Sequence, residues 1–334
     1  MLLAVLSSSV MGGGQNRAGT SAAPQLLIPV GAQYLAMNGS ATAIASGIEA
    51  IFWNPAGLDV TRNSADVIFS YRSYIADMGV NYLAVNGKFG IGSLALSLRS
   101  FVVGDIPVTT EDSPDGTGEI VSPTFFIVGL SYSRKLTDRI SVGATMNVIN
   151  ESFARVGATS IAFDAGLQYR SLLGVEDLAI GVAVKNVGPP MRYGGSGLFV
   201  QAEALGAERH ITTYKVEAAA FELPSVIELG LAYRMPLGEA NQIQLTGTFQ
   251  NNNFAYDEYR FGAEYVFDNT VSIRGGYLLG SGVDDRAPNI FENFTVGAGL
   301  SFQDVGGVSM NFDYVFVPVK WFDTNHAVSI RIGF

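Results

Sequence analysis

From Ala65 to the C-terminus the chain alternates between apolar and polar at a period of two. In the last such segment His326, Val328, Ile330, Ile332 and Phe334 share one parity, while Ala327, Ser329, Arg331 and Gly333 hold the other. Ile161-Phe163-Ala165-Leu167-Tyr169 stand likewise against Ala162-Asp164-Gly166-Gln168-Arg170, and Ile227-Leu229-Leu231-Tyr233 against Glu228-Gly230-Ala232-Arg234. Ile243, Leu245, Gly247 and Phe249, and again Val308, Met310, Phe312, Tyr314 and Phe316, repeat the pattern. A period of two predicts strands. One such strand would suit a soluble β-sandwich equally well. Its recurrence along the chain, with aromatics at the strand ends, predicts strands with one face in lipid and the other in a polar lumen.

The fold class expected is therefore all-β: a transmembrane antiparallel barrel of about 14 strands. The strands are expected to start near Ala65, Met78, Ile91, Pro123, Arg139, Ala158, Asp177, Pro224, Asn241, Ala255, Thr270, Phe291, Gly306 and Thr324. Connections alternate. Gly87-Lys88, Leu136 to Asp138, Leu172 to Glu176, Leu237 to Glu239, Asp268-Asn269 and Asp304-Val305 are short, whereas Gly104 to Ser122, Asn186 to Leu223 and Gly280 to Ile290 are long. Outer-membrane barrels place tight turns in the periplasm and long loops outside, and a periplasmic C-terminus puts this alternation in the right phase.

Upstream of Ala65 the pattern is different. Residues 1–14 open with an apolar run, Leu2 to Leu6, that resembles the core of a secretory signal without its usual positive start. Residues 15–64 hold a short apolar patch, Leu26 to Val30, and then small residues spaced as on a helix face: Ala36-Met37, Ala41, Ala43 to Ala45 and Ile48, broken by Gly39 and Gly47. Such a segment needs something to pack inside or against. A lumen of about fourteen strands is too wide for wall side chains to fill, so this unit is expected to be a hatch inside the barrel formed by residues 65–334. Its end is marked by Trp53, Asn54, Pro55, Ala56 and Gly57: Asn54-Pro55 is a turn pair and Trp53 supplies bulk for a lumen, although the residues alone suit a surface turn ahead of the first strand equally well.

Composition narrows the function classes. The 334 residues carry 14 Tyr and 21 Phe but only 15% charged residues, and no apolar run of spanning length follows the N-terminus. A net charge of −10 opposes nucleic-acid binding. The absence of cysteine removes disulfides, thiolate nucleophiles and most structural zinc sites. His210 and His326 lack ligand-spaced partners, and the acidic loop of Glu111, Asp112, Asp115 and Glu119 lacks the order of a calcium loop. Gly194-Gly195-Ser196-Gly197 is not followed by the lysine, threonine and helix of a phosphate cradle, and no nucleophile elbow is present. The chain reads as a non-enzyme with no cofactor or metal.

Three sets of residues carry the functional expectations. Asp164, Arg170, Glu228, Arg234, Arg260, Glu264, Arg274, Asp313 and Arg331 have lumen parity; they line a polar path or pair across a filled interior. In the long loop Tyr193, Leu198, Phe199, Tyr214 and Phe221 supply the exposed apolar content that a protein-binding surface needs. The terminal Phe334 is read as the signal presented to the barrel assembly machinery.

The stretch Pro29 to Ala41, followed by Glu49-Ala50-Ile51-Phe52-Trp53-Asn54-Pro55-Ala56-Gly57-Leu58, resembles the Asn-Pro-Ala hatch of FadL-like barrels. Asn16-Arg17-Ala18-Gly19-Thr20-Ser21-Ala22-Ala23-Pro24 with Leu26-Leu27-Ile28-Pro29, supported by Val187 to Met191 and Leu223-Pro224-Ser225, makes the PorV/PorQ family the nearer resemblance. That resemblance implies an outer-membrane location in Bacteroidetes-like bacteria and a part in type IX secretion. Its implied partners are a large translocon barrel and the C-terminal sorting domains of cargo, which the barrel passes to the surface attachment machinery. The alternative within the superfamily is a FadL-like channel for hydrophobic small molecules, which would show a gap in the wall over a greasy pocket.

Overall fold

A computed structural model describes Arg17 and residues 19–202, 211–280 and 290–334. The signal-like segment 1–14 and His210 lie outside the described residues. Fourteen antiparallel strands close on themselves: β1 (Ala65–Ser73), β2 (Gly79–Phe89), β3 (Gly92–Val102), β4 (Thr124–Lys135), β5 (Ile140–Phe153), β6 (Val156–Arg170), β7 (Leu178–Val187), β8 (Val226–Leu237), β9 (Asn241–Asn252), β10 (Glu258–Phe267), β11 (Val271–Leu279), β12 (Phe294–Val305), β13 (Val308–Val317) and β14 (Asn325–Gly333). Each strand pairs with its neighbours in sequence, and β1 pairs with β14 from Asp66↔Gly333 to Arg72↔Ala327. This is the all-β barrel that the alternation predicts.

Burial follows the period of two. Ile161, Phe163 and Leu167, Leu229 and Leu231, and Val328 and Ile330 are exposed on the outer face, while Asp164, Gln168, Glu228 and Ser329 between them are buried. A wall that exposes such residues in a continuous band is stable only against hydrocarbon, and closure removes the strand edges that lipid cannot satisfy. This is an outer-membrane β-barrel. Phe334 and the tight turns share one end, which is accordingly periplasmic. Two of those turns show why they are tight: Asp268 and Asn269 (φ 50° and 49°), and Gly306 and Gly307 (φ 70° and 84°), occupy the left-handed region that two-residue hairpins demand.

The hatch threads the lumen from end to end. At the extracellular rim Arg17 pairs with Glu222 at 2.7 Å and the Ala22 amide donates to Glu222 O. At the periplasmic end Asp59 accepts from Ser93 Oγ (2.6 Å) and from the Lys135 amide (2.9 Å), after which Ser64 bonds Phe334 and β1 begins. The helical face expected from the small residues, with breaks at Gly39 and Gly47, forms only in short pieces. Only two four-residue helices appear, α1 (Ala32–Leu35) and α2 (Ala50–Trp53), with 3₁₀ turns around them. Asn38, Gly39 and Gly47 at φ 53°, 74° and 61° break the run.

Candidate functional site: the hatch and the lumen it fills

The hatch touches much of the wall backbone to backbone, through glycines that face each other across neighbouring strands. Gly143 of β5 pairs with Gly166 of β6, Gly181 of β7 with Gly230 of β8, and Gly262 of β10 with Gly276 of β11. Each pair receives one step of the hatch. A Cβ at Gly143 would lie 2.3 Å from Pro55 O, and one at Gly166 1.9 Å from Asn54 Oδ1. At Gly181 the clash is with Thr42 O at 2.1 Å, and at Gly276 with the Met37 carbonyl carbon at 2.2 Å. No side chain fits there. Polar neighbours then hold the hatch backbone: Gln168 Nε2 donates to Ala45 O (2.8 Å), Ser133 Oγ to Ala56 O (2.9 Å) and Thr295 Oγ1 to Ala36 O (3.0 Å).

Asn54 shows why the Trp53–Gly57 stretch reads as it does. Its extended backbone ends α2, Pro55 begins the next turn, and Asn54 Oδ1 accepts from the Ala56 amide at 3.2 Å. Its Nδ2 donates to Thr42 O at 2.7 Å and to Leu167 O of the wall at 3.2 Å, so one buried amide ties two hatch segments to β6. Trp53 is 1% exposed and packs edge-on against Phe52 and Tyr34.

Lumen charges are paired, two of the three groups across strands and Arg260–Glu258 along β10. Lys185 meets Glu228 at 2.7 Å, Arg274 meets Glu264 at 2.6 Å and Asp313 at 2.5 Å, and Arg260 meets Glu258 at 2.6 Å. Asp164 accepts from Asn147 Nδ2 (2.8 Å) and the Asn186 amide (2.7 Å) at the bulge where the β6–β7 register shifts. Arg170 is half-buried beside Gln168. Arg234 is not in the packed lumen: it is more than half exposed at the periplasmic mouth and pairs with Asp177 at 3.1 Å, because β8 has run past the hatch there. In the hatch Glu49 is buried with neither oxygen hydrogen-bonded among the described residues. Burial pushes its carboxyl up to about 7, opposed by Arg331.

Above Phe52 and Trp53 a cavity of about 170 Å³ remains, lined by Tyr82, Arg99, Asp164, Lys185, Glu228, Arg260 and the hatch residues Leu26 and Leu27, among others. Its lining mixes ion pairs with apolar side chains such as Ile51, Phe52 and Val226, and the ladders around it are continuous save for the bulge that Asp164 fills. The long loop ends in a hairpin of Phe199–Ala202 with Thr212–Lys215. Phe199, Tyr214 and Phe221 are exposed. Tyr193 and Leu198 are half-buried: the Tyr193 hydroxyl donates to Glu151 and its ring packs on the hatch-side core, so Tyr193 belongs to the rim rather than to a free surface. Residues missed from sequence are the six glycines, whose pairing depends on register.

The sequence matches the family model for type IX secretion system protein PorV over residues 12–203. The chain belongs to the PorV family. No curated protein matches it by sequence. Among solved structures, the CymD monoaromatic hydrocarbon channel aligns over 92% of this PorV-family chain and 98% of its own, at 13% identity and a TM-score of 0.59. A Pseudomonas aeruginosa FadL homologue aligns over 92% and 98% (13% identity, TM-score 0.56), and the P. putida toluene transporter TodX over 90% and 96% (12%, 0.56). At such identities the likeness establishes the fold, the FadL-like barrel.

Proposed function

We propose that this PorV-family protein is a non-enzymatic, protein-binding barrel of type IX secretion. Its extracellular loops engage the translocon barrel and the C-terminal sorting domains of cargo, and it passes that cargo to the attachment machinery. The observation that carries this reading is the contrast between a lumen closed backbone to backbone by the hatch and a loop hairpin that exposes Phe199, Val200 and Tyr214. A hydrocarbon channel needs an apolar passage; here hatch and wall meet backbone to backbone, and the cavity above Phe52 and Trp53 carries the Lys185–Glu228 and Arg260–Glu258 ion pairs in its lining. An exposed apolar hairpin, by contrast, is the feature protein partners use. In this reading Phe334 is also the residue that the assembly machinery recognises before the barrel closes, and the exposure of its ring beside the β1–β14 seam supports that role.

The test is mild-detergent purification of the tagged protein from its own outer membrane, with mass spectrometry of what accompanies it. The expected companions are a very large barrel subunit or secreted proteins sharing a C-terminal β-domain. The triple variant Phe199→Ser, Tyr214→Ser, Phe221→Ser should reach the membrane folded but lose them. A solitary barrel carrying fatty acids or hydrocarbons would overturn this reading in favour of the channel.

A further inference from the structure

The chain has a net charge of −10, yet one sector of its periplasmic rim is positive. At the β2–β3 and β4–β5 turns Lys88, Arg134, Lys135 and Arg139 are exposed, and none of them forms an ion pair among the described residues. Lys88 Nζ donates to Thr61 O at 2.8 Å, which brings the exposed Arg62 into the same sector. Lys88 and Arg170 stand close enough to repel Lys135, offset in part by Asp59 and Asp138. Asp59 and Asp66 are buried and engaged, Asp59 by Ser93 Oγ and the Lys135 amide, Asp66 by Asn63 Nδ2. Only Asp138 stands exposed among these cations. Further round the rim the sign reverses: Glu176, Glu239 and Asp268 are exposed, and Arg234 is taken by Asp177.

The neighbours of the cations show what they meet. Arg134 has the outward parity of Leu130 and Tyr132, both exposed, and is the next outward residue toward the periplasm. The rings of Tyr132 and Phe89 lie over wall positions that lack side chains: a Cβ at Gly92 would stand 3.0 Å from Tyr132, and one at Gly87 3.2 Å from Phe89. The Tyr132 hydroxyl donates to Ile91 O at 2.6 Å and so fastens the β2–β3 turn to β4. Phe89, Ile91 and Leu136 are 56%, 66% and 58% exposed. Interfacial aromatics mark the headgroup level of a barrel, which puts Arg134 at the depth of the phosphates. A soluble acidic partner would satisfy the cations but leave the three apolar side chains in water. A lipid covers both.

We propose that the β2–β3 and β4–β5 turns bind an anionic phospholipid of the inner leaflet. Arg134, Lys135 and Arg139 take the headgroup phosphate, guanidinium groups pairing with its oxygens two at a time. Acyl chains lie along Phe89, Leu94 and Leu130. A zwitterionic headgroup brings its own ammonium to the same cations and is held less tightly, so the sector selects net negative charge. This site lies on the outer wall and is independent of the loop surface assigned to protein partners.

The full-length chain in neutral detergent would be loaded with equal amounts of dioleoyl phosphatidylglycerol and dioleoyl phosphatidylethanolamine and washed, and the retained lipid quantified by mass spectrometry. Phosphatidylglycerol should be enriched, and the enrichment should fall as sodium chloride is raised. Inorganic phosphate at the same concentration should not displace it, since it lacks the acyl chains. Arg134→Gln with Arg139→Gln should lower the enrichment about fivefold for each charge removed. Arg155→Gln with Lys320→Gln, which removes two exposed charges from the extracellular rim, should leave it unchanged. Heat-modifiable migration on gels controls for folding. Should R134Q/R139Q fail to assemble, Lys135→Gln, whose amide still reaches Asp59, serves in its place and should lose about fivefold. Equal retention of the two lipids, displacement by inorganic phosphate, or the same loss in both pairs of variants would each overturn the proposal. Retention of a poly-glutamate probe without lipid enrichment would overturn it too, and assign the surface to an acidic protein.

Discussion

Two zones of one lumen solve the problem of a wide barrel differently. Where the paired glycines lie, the wall gives up side chains so that hatch and strand backbones touch. Above Phe52 and Trp53 the wall keeps large charged side chains, Arg99, Lys185, Glu228 and Arg260, and a cavity survives among them. The first zone leaves no room for a side chain between hatch and wall. The second leaves room among paired charges. A plug is thereby fixed along its lower course while a pocket opens to its upper face, and the two properties need not be traded against each other.

The sharpest way to break that contrast is a pair of neighbours on β11. Gly276 faces the hatch, with a would-be Cβ 2.2 Å from Met37 C; Gly275 faces out, its nearest atom 3.9 Å away. Gly276→Ala should cost about 3 kcal/mol or more by overpacking against backbone that cannot yield, lowering the urea midpoint or blocking assembly. Gly275→Ala should be neutral or stabilise by about 0.5–1 kcal/mol. Equal effects would mean that the hatch is not seated on the glycines.

In the charged zone Lys185→Met should cost about 3–5 kcal/mol, since it strands Glu228 at 1% exposure. The double variant Lys185→Met, Glu228→Leu should recover most of that, because the penalty belongs to the unpaired charge. Denaturant unfolding of the three proteins checks it; failure of the double variant to recover would mark the pair as structurally required.

The smallest effect concerns Glu49. Its folded-state value of about 7 lies above that of an exposed glutamate, so the protonated form is the one folding favours. The stability it contributes is full below about pH 4.5 and is lost as pH rises through about 7. Thermal scans between pH 5 and 8 should show a decline that Glu49→Gln flattens; parallel curves for both proteins would refute the assignment.

Much of this was legible in the residues. Alternation placed Asp164, Glu228 and Asp313 inside and Leu229 and Ile330 outside, because side-chain direction in a strand is a local property of period two. Turn chemistry such as Asp268-Asn269 located tight hairpins, because left-handed backbone is paid for residue by residue. The Trp53–Gly57 turn was visible for the same reason. What tertiary structure alone decided is which residues meet. Gly143 and Gly166 have inward parity in the sequence, yet that they sit opposite each other depends on strand register, and that Asn54 lands on them depends on the path of the hatch. Arg234 shares the parity of Glu228 but ends at the mouth, since parity gives the face and not the depth. The cavity is a further step removed: Tyr82, Arg99 and Trp53 come from three separate segments that line one space only once the barrel has closed around the hatch.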